Sequence, residues 1–342
     1  MHHLQNNNTY NTSMKRKPRR RLVAAIPAVI AALAVPSVAF AAPPPGIPDG
    51  WSDGFVYANG IRIHYYRATP AGRKPAMVMV HGVTDNGLCW TTLSRKLQDS
   101  YDIYMLDTRG HGLTDPFTTT DDGDTLIKDV VEFVRVMKLE KPILMGHSMG
   151  AATVMRVGAE FPDLASAVIM LDPGVGNRGP GRGPAPSRDG DSPGGRAPAP
   201  PPSSGSDPLA FSMHAAPETL AAQNNYKHDD LVAKARRQNS RWDDVDCQYW
   251  ALAKKQYHGP YTGEAWQAMT GSMRTGDSLA KLKVPAIILK ADASPEARKQ
   301  HLEAASVMQS GKLVHLDGTG HNLHHDDLPR TVEILNDFLP TE

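Results

Sequence analysis

From residue 76 onward, short runs of mostly apolar residues recur between longer stretches in which apolar positions return every three or four residues. "PAMVMVHG", "YDIYMLDTRG", "KPILMGHS", "ASAVIMLDPG", "VPAIILKAD" and "GKLVHLDG" have strand length and little alternation, as strands covered on both faces require. Between them, "GDTLIKDVVEFVRVMKLE" has helical spacing, and "SPEARKQHLEAASVM" opens on Ser294 followed by Pro295, a helix-start signal. Ahead of these runs, "GFVYANGIRIHYYRAT" sets Asn59-Gly60 between two alternating segments and predicts a hairpin. The pattern predicts an α/β fold that opens with antiparallel strands and continues as a doubly wound, mostly parallel sheet with helices on both faces.

Two segments break the alternation. Residues 174–206 hold nine Gly and eight Pro with almost no large apolar side chain, which predicts a flexible tether. Residues 209–281 are helix-like and carry Trp242, Tyr249, Trp250, Tyr257, Tyr261 and Trp266; they predict a helical cap over the carboxyl ends of the strands, with most of these rings packing among the helices. The expected organisation is therefore a signal segment and N-terminal extension at 1–41, the first part of the core at 42–173, a Pro/Gly-rich insertion at 174–208, the cap at 209–281 and the second part of the core at 282–342.

Charge changes the view of the N-terminus. Lys15, Arg16, Lys17, Arg19, Arg20 and Arg21 precede the apolar run "LVAAIPAVIAALAVPSVAFA", which ends with Ala39 and Ala41 in an A-x-A arrangement. This predicts a secretory signal peptide cleaved near Ala41 or Ala42, loosely of twin-arginine type, with Met14 as its start and a secreted or periplasmic product. The competing expectation is an uncleaved anchor, because the run is about as long as a spanning helix. With those six bases taken from 37 and no acid removed from 36, the remainder carries −5, a poor balance for nucleic-acid binding. Cys89 and Cys247 are too few for a disulfide framework and are expected to be free thiols. No cofactor motif or metal-ligand cluster is expected; His321, His324 and His325 fit a loop and a helix start better than a metal site.

The chemistry concentrates in "ILMGHSMGAA". The G-x-S-x-G pattern puts Ser148 between a strand and a small-residue helix, as in a strained strand-to-helix turn that exposes a nucleophilic hydroxyl. A serine needs a base, and the base needs a carboxylate to orient it. His321, in the glycine-bearing loop of "HLDGTGHNLHHDD", is the expected base, ahead of His315, His324 and His325. Asp292 is the expected carboxylate, two residues past "VPAIILK", with Asp172 after "AVIML" as its competitor. The backbone N–H groups of Met149 and Val83 are the expected donors to an oxyanion. His81 is expected to organise its glycine turn, and Asp107, Arg109 and His111 to shape a loop by pairing.

Together "HGVTDNG", "DTRGHGLTD", "GHSMG" and the terminal "GTGH" resemble the α/β-hydrolase fold superfamily, in the branch of small esterases, lactonases and cofactor-free haloperoxidase-like enzymes. The resemblance covers about residues 52–172 and 282–340. It implies Ser148 as nucleophile, His321 as base, Asp292 as orienting acid, and Val83 and Met149 as the oxyanion hole. Relatives in that family carry glycine shortly before the acid, where this chain has Lys290-Ala291. Relatives with an aspartate nucleophile, the epoxide hydrolases and dehalogenases, are disfavoured by the serine at 148. The expected activity is hydrolysis of a small-molecule carboxylic ester or lactone, without nucleic acid and without stable membrane insertion once the signal is removed. Alternatives are a small-molecule sensor on the same fold, and carbon–carbon bond hydrolysis or perhydrolysis by the same three residues.

Overall fold

The computed structural model describes residues 45–69, 72–175 and 209–339. The expected signal segment and all but the first two residues of the expected Pro/Gly insertion lie outside them.

Eight strands form one sheet. β1 (Ser52–Ala58) and β2 (Ile61–Ala68) make an antiparallel hairpin whose turn places Asn59 and Gly60 at positive φ. β3 (Ala76–Val80), β4 (Asp102–Leu106), β5 (Ile143–His147), β6 (Ala167–Leu171), β7 (Ala286–Lys290) and β8 (Gly311–His315) are mutually parallel, in the spatial order β1-β2-β4-β3-β5-β6-β7-β8. Successive residues of a strand face opposite sides, and here both sides are apolar. Val78, Val80, Leu144, Val168 and Met170 join one core, while Met77, Met79, Met145, Ile169 and Leu171 join the other. This two-sided burial is why the strands read as continuous apolar runs.

On the first face lie α2 (Thr125–Val136) and α3 (Met149–Glu160); on the second lies α1 (Thr91–Leu97), preceded by the 3₁₀ turn Gly87–Trp90. After β6 come α4 (Pro217–Asn224), α5 (His228–Gln238), α6 (Asp244–Gln256), α7 (Gly263–Ser272) and α8 (Ser278–Lys281). α5 and α6 share a small core of their own, built on Leu231, Val232, Trp242, Cys247 and Trp250. α6 also packs on the 3₁₀ turn and α1, α7 on α2 and α3, and α8 on α3. The chain finishes with α9 (Pro295–Ala305), α10 (Leu323–Asp326) and α11 (Leu328–Phe338). His324 and His325 occupy the short α10 rather than the first turn of the last helix. Pro329 opens a new helix there, and the Asp327 side chain caps it by accepting from Arg330 N. Cys89 and Cys247 are both buried free thiols. Among the described residues no helix is long and apolar enough to cross a membrane.

Candidate active site

The carboxyl edge of the sheet sets out the site through strand register. His147 pairs with Leu171, Leu171 with Leu289, and Lys290 with His315. One residue further, Ser148 therefore stands beside Asp172, and Asp172 beside Lys290, so that Ser148, Asp172, Lys290 and His315 form a row across four neighbouring strands.

Ser148 lies between β5 and α3 with φ 54° and ψ −111°, a backbone that non-glycine residues rarely adopt. Its N–H donates to Leu171 O at 2.9 Å. The turn closes so tightly that a Cβ on Gly146 would lie 2.2 Å from Gly150 O, and one on Gly150 would lie 1.9 Å from Val80 O. Both flanking glycines are thus required by backbone contact, which accounts for the G-x-S-x-G pattern physically. Ser148 is half-buried, and its hydroxyl makes no hydrogen bond among the described residues.

His321 is exposed, in the loop between β8 and α10. Its Nδ1 lies 2.6 Å from Asp172 Oδ2, and its carbonyl accepts a 2.9 Å hydrogen bond from His147 Nε2. The rings of His147 and His321 are 4.7 Å apart, which sets His321 against the residue preceding the serine. Burial drives the His147 imidazole down to about 3, with His321 adding to the effect, so His147 is a neutral donor to the loop.

The carboxylate at the histidine is Asp172 and not Asp292. Asp172 follows β6 directly, with φ 46°, and its N–H donates to Leu289 O at 2.8 Å. Its Oδ1 receives Lys290 Nζ at 2.5 Å and Ala291 N at 3.2 Å. Burial alone would raise the Asp172 carboxyl, but the hydrogen bond from His321 and the charge of Lys290 hold it well below the usual range. Asp292 is committed elsewhere: Oδ1 accepts from Arg298 Nη2 at 2.5 Å and from Ala293 N at 2.8 Å, and Oδ2 from Gly318 N at 2.8 Å. Its own N–H donates to Thr319 O at 3.1 Å. Asp292 therefore braces the loop that carries His321 without touching the imidazole.

Val83 and Met149, the expected oxyanion donors, come together around an apolar cluster of Leu126, Met149 and Met269, against which Val83, Phe117, Trp266 and Met273 pack. Neither N–H donates to a partner among the described residues. Next to Val83, Thr84 is buried at φ 68°, unusual for a β-branched residue. Lys254 of α6 holds this turn, donating to Thr84 O at 3.2 Å, to the Thr84 hydroxyl and to Asp85 Oδ1 at 3.2 Å. Asn86 Nδ2 donates to Gln256 Oε1 at 2.7 Å, and Thr92 Oγ1 of α1 to Asp246 Oδ1 at 2.8 Å, so α6 is tied to this loop at its C-terminal end and to α1 at its N-terminal end.

Most of the remaining polar residues near the strand ends are engaged; His111 Nδ1 donates to Arg109 O at 2.9 Å, while its buried Nε2 has no partner among the described residues. His81 Nδ1 donates to Gly82 O at 2.7 Å while Nε2 accepts from Thr108 N at 3.0 Å. Buried Asp107 accepts from His64, Gly87 N and Leu113 N, and Arg109 pairs with Asp121 and Asp129. Residue-type reasoning passed over Lys290, Lys254 and His147. The signal for Lys290 was a lysine closing a strand buried on both faces, which needs a counter-ion. Among the described residues no group of three or more His, Cys, Asp or Glu is arranged to hold a metal.

These features have counterparts in known proteins. Over 136 residues, 40% of this chain and 49% of the relative, the sequence is 36% identical to the N-formylmaleamate deformylase of Pseudomonas putida. Over 101 residues, 30% and 36% of the two chains, it is 33% identical to the 2-(acetamidomethylene)succinate hydrolase of Mesorhizobium japonicum. The match thus spans about half the length of the first relative and about a third of the second. Among solved structures, the N-formylmaleamic acid deformylase from Pseudomonas putida S16 superposes with a TM-score of 0.59 at 21% identity, covering 83% of this chain and 100% of that one. The enol-lactonase from Burkholderia xenovorans LB400 superposes with a TM-score of 0.54 at 17% identity, covering 83% and 99%. The sequence model of the alpha/beta hydrolase family matches residues 77–333, and with three quarters of its length inside that match the chain belongs to the alpha/beta hydrolase family.

Proposed function

We propose that the protein is a serine hydrolase that cleaves a small carboxylic ester or lactone through an acyl-enzyme, with Ser148 as nucleophile, His321 as base and Asp172 as the acid that orients it. The observation that carries this is the strained Ser148 one strand away from Asp172, whose Oδ2 meets His321 Nδ1 at 2.6 Å. The carboxylate fixes the imidazole with its Nδ1 protonated, which leaves Nε2 as the basic nitrogen. The Ser148–His321 hydrogen bond then forms when substrate closes the site, as such bonds are often long in a free enzyme.

In the first step Ser148 Oγ attacks the carbonyl carbon while His321 Nε2 takes the hydroxyl proton. The negative charge on the former carbonyl oxygen is met by the N–H groups of Val83 and Met149, each worth roughly 3 kcal/mol in the transition state. Asp172, ionised at neutral pH, stabilises the imidazolium. Collapse of the tetrahedral intermediate expels the alcohol oxygen, which receives the proton from His321. Water repeats the sequence on the acyl-enzyme and releases the acid. The cluster of Leu126, Met149, Met269, Trp266 and Phe117 beside the donors supports an apolar acyl group of modest size.

A second acyl bond is favoured by the two curated relatives, whose names describe a deformylase and a hydrolase of acetamido compounds. A small N-formyl or N-acetyl amide would pass through the same steps with an amine as leaving group. The deciding experiment is labelling of the purified protein with a fluorophosphonate, followed by rates on short p-nitrophenyl esters, lactones and N-acyl amides. Labelling of the wild type and its loss in Ser148→Ala are expected; an unlabelled wild type that turns over none of these compounds refutes the proposal. Export, suggested by the bases and apolar run before Ala42, is part of it and is checked by the mature N-terminus of protein recovered outside the cytoplasm.

A further inference from the structure

We propose that Lys290 is a positioning residue of this site, its ammonium holding the Asp172 carboxylate so that one oxygen remains for His321. The role rests on Ser148 acting as nucleophile with His321 as its base.

The geometry is specific. Lys290 ends β7 in register beside Asp172, and its side chain is almost fully buried. Nζ donates to Asp172 Oδ1 at 2.5 Å and to Pro173 O at 2.9 Å. One ammonium therefore grips both the carboxylate and the backbone that follows it, with Ala291 N–H as a second donor to the same oxygen. Asp172 sits at positive φ and has no glycine to ease that backbone; the ion pair is what fixes its direction. A buried cation left without this partner would be strongly unfavourable, so the pair is mutually dependent.

The surroundings point to Lys290 as the main charge on Asp172 apart from His321. His147 of β5 bonds the His321 carbonyl, and Asp85, after β3, acts on His147. His324 of α10 is buried and held neutral by burial and by His325. His315 of β8 stacks on His301 of α9, with Nε2 and Nδ1 3.1 Å apart. Arg298 of α9 is taken up by Asp292 and Asp317. Among the described residues none of these touches the Asp172 carboxylate.

A shared carboxylate has a chemical consequence. Part of its negative charge is offset by Lys290, so it stabilises the imidazolium of His321 less than a lone aspartate would. Lys290 thereby gives orientation while weakening the electrostatic support of the imidazolium. Removing the charge should shift the acidic limb of the reaction to higher pH, an effect that loss of packing alone does not produce.

The test measures the rate of Ser148 labelling by a fluorophosphonate from pH 5 to pH 9 in wild type, Lys290→Met, Lys290→Gln and Lys290→Arg, with circular dichroism confirming the fold of each. Expected for Lys290→Met is a plateau roughly tenfold lower, from the loosened carboxylate, and an acidic limb about one pH unit higher. Lys290→Gln keeps a hydrogen-bond donor without the charge, so the same limb shift is expected with a smaller loss of plateau; it serves if the methionine variant does not fold. Lys290→Arg should keep the limb of the wild type. Unchanged limbs in the methionine and glutamine variants, whatever their plateaus, would overturn the role of Lys290. An unlabelled wild type would instead overturn Ser148 as the nucleophile, so the two failures are distinct.

Discussion

Ser148 and Asp172 stand side by side at the ends of neighbouring strands, both at positive φ, and each donates its N–H to the last residues of the next strand. What holds them differs. At Ser148 the turn exists because atoms are missing: Gly146 and Gly150 leave no room for a Cβ against Gly150 O and Val80 O. At Asp172 the turn exists because charges are present, with Lys290 and His321 on the two carboxylate oxygens. A steric constraint of the first kind is local and indifferent to pH. The second kind is tertiary, and it titrates.

The largest effect should come from filling the steric turn. Gly150→Ala puts a Cβ 1.9 Å from Val80 O, contact that no side-chain rotation relieves, and near-complete loss of folded, labelled protein is expected in a soluble-yield and labelling assay. Next comes the charged turn. Asp172→Asn should keep the fold and lower the acylation rate by about 10³ to 10⁴, since an amide favours the wrong imidazole tautomer. Asp292→Asn should lower the melting temperature, through Arg298 and Gly318, while costing the rate far less. Equal rate losses in the two variants would erase the distinction between orienting acid and loop brace.

A smaller effect is expected at the loop of Val83, proposed to carry an oxyanion donor, where charge and strain meet. Lys254→Met leaves Thr84 at φ 68° without its clamp, so kcat should fall roughly tenfold with KM little changed, as for an interaction used in the transition state. Smallest is the acid sensitivity of the fold beside the elbow. His147 is held near 3 against an ordinary 6.5, so between those values the unfolded chain binds the extra proton. Its contribution is complete above pH 6.5 and declines as pH falls toward 3, by up to about 1.4 kcal/mol per pH unit. Urea unfolding at pH 7 and pH 5 should display this slope, and His147→Gln should flatten part of it.

The same contrast explains what the sequence disclosed. The strands, the Asn59-Gly60 hairpin and the serine turn were legible because each is written in adjacent residues: alternate burial on two apolar faces, a turn dipeptide, two glycines around one serine. The acid was not. Asp172 and Asp292 both lie between Ser148 and His321 in the chain, so order does not separate them. What separates them is register, which sets Asp172 level with Ser148 and leaves Asp292 two residues beyond Lys290, where Arg298 claims it. Register between β6 and β7 depends on the packing of the whole sheet and has no signature in either strand. Lys290 carried a usable hint, since a lysine at the end of a buried strand implies an acid alongside it. Lys254 carried none, because its contact joins residues 170 positions apart.

The stitching of α6 to the loop at Val83 bears on how the proposed reaction would admit its substrate. Moving α6 away from that loop would pull Lys254 from Thr84 and Gln256 from Asn86, releasing the backbone assigned to the oxyanion in the proposed mechanism. In that mechanism a molecule opened on that side would be idle, and one ready to react would be shut there. Substrate would then pass by another edge, making admission and turnover separable properties of the proposed enzyme.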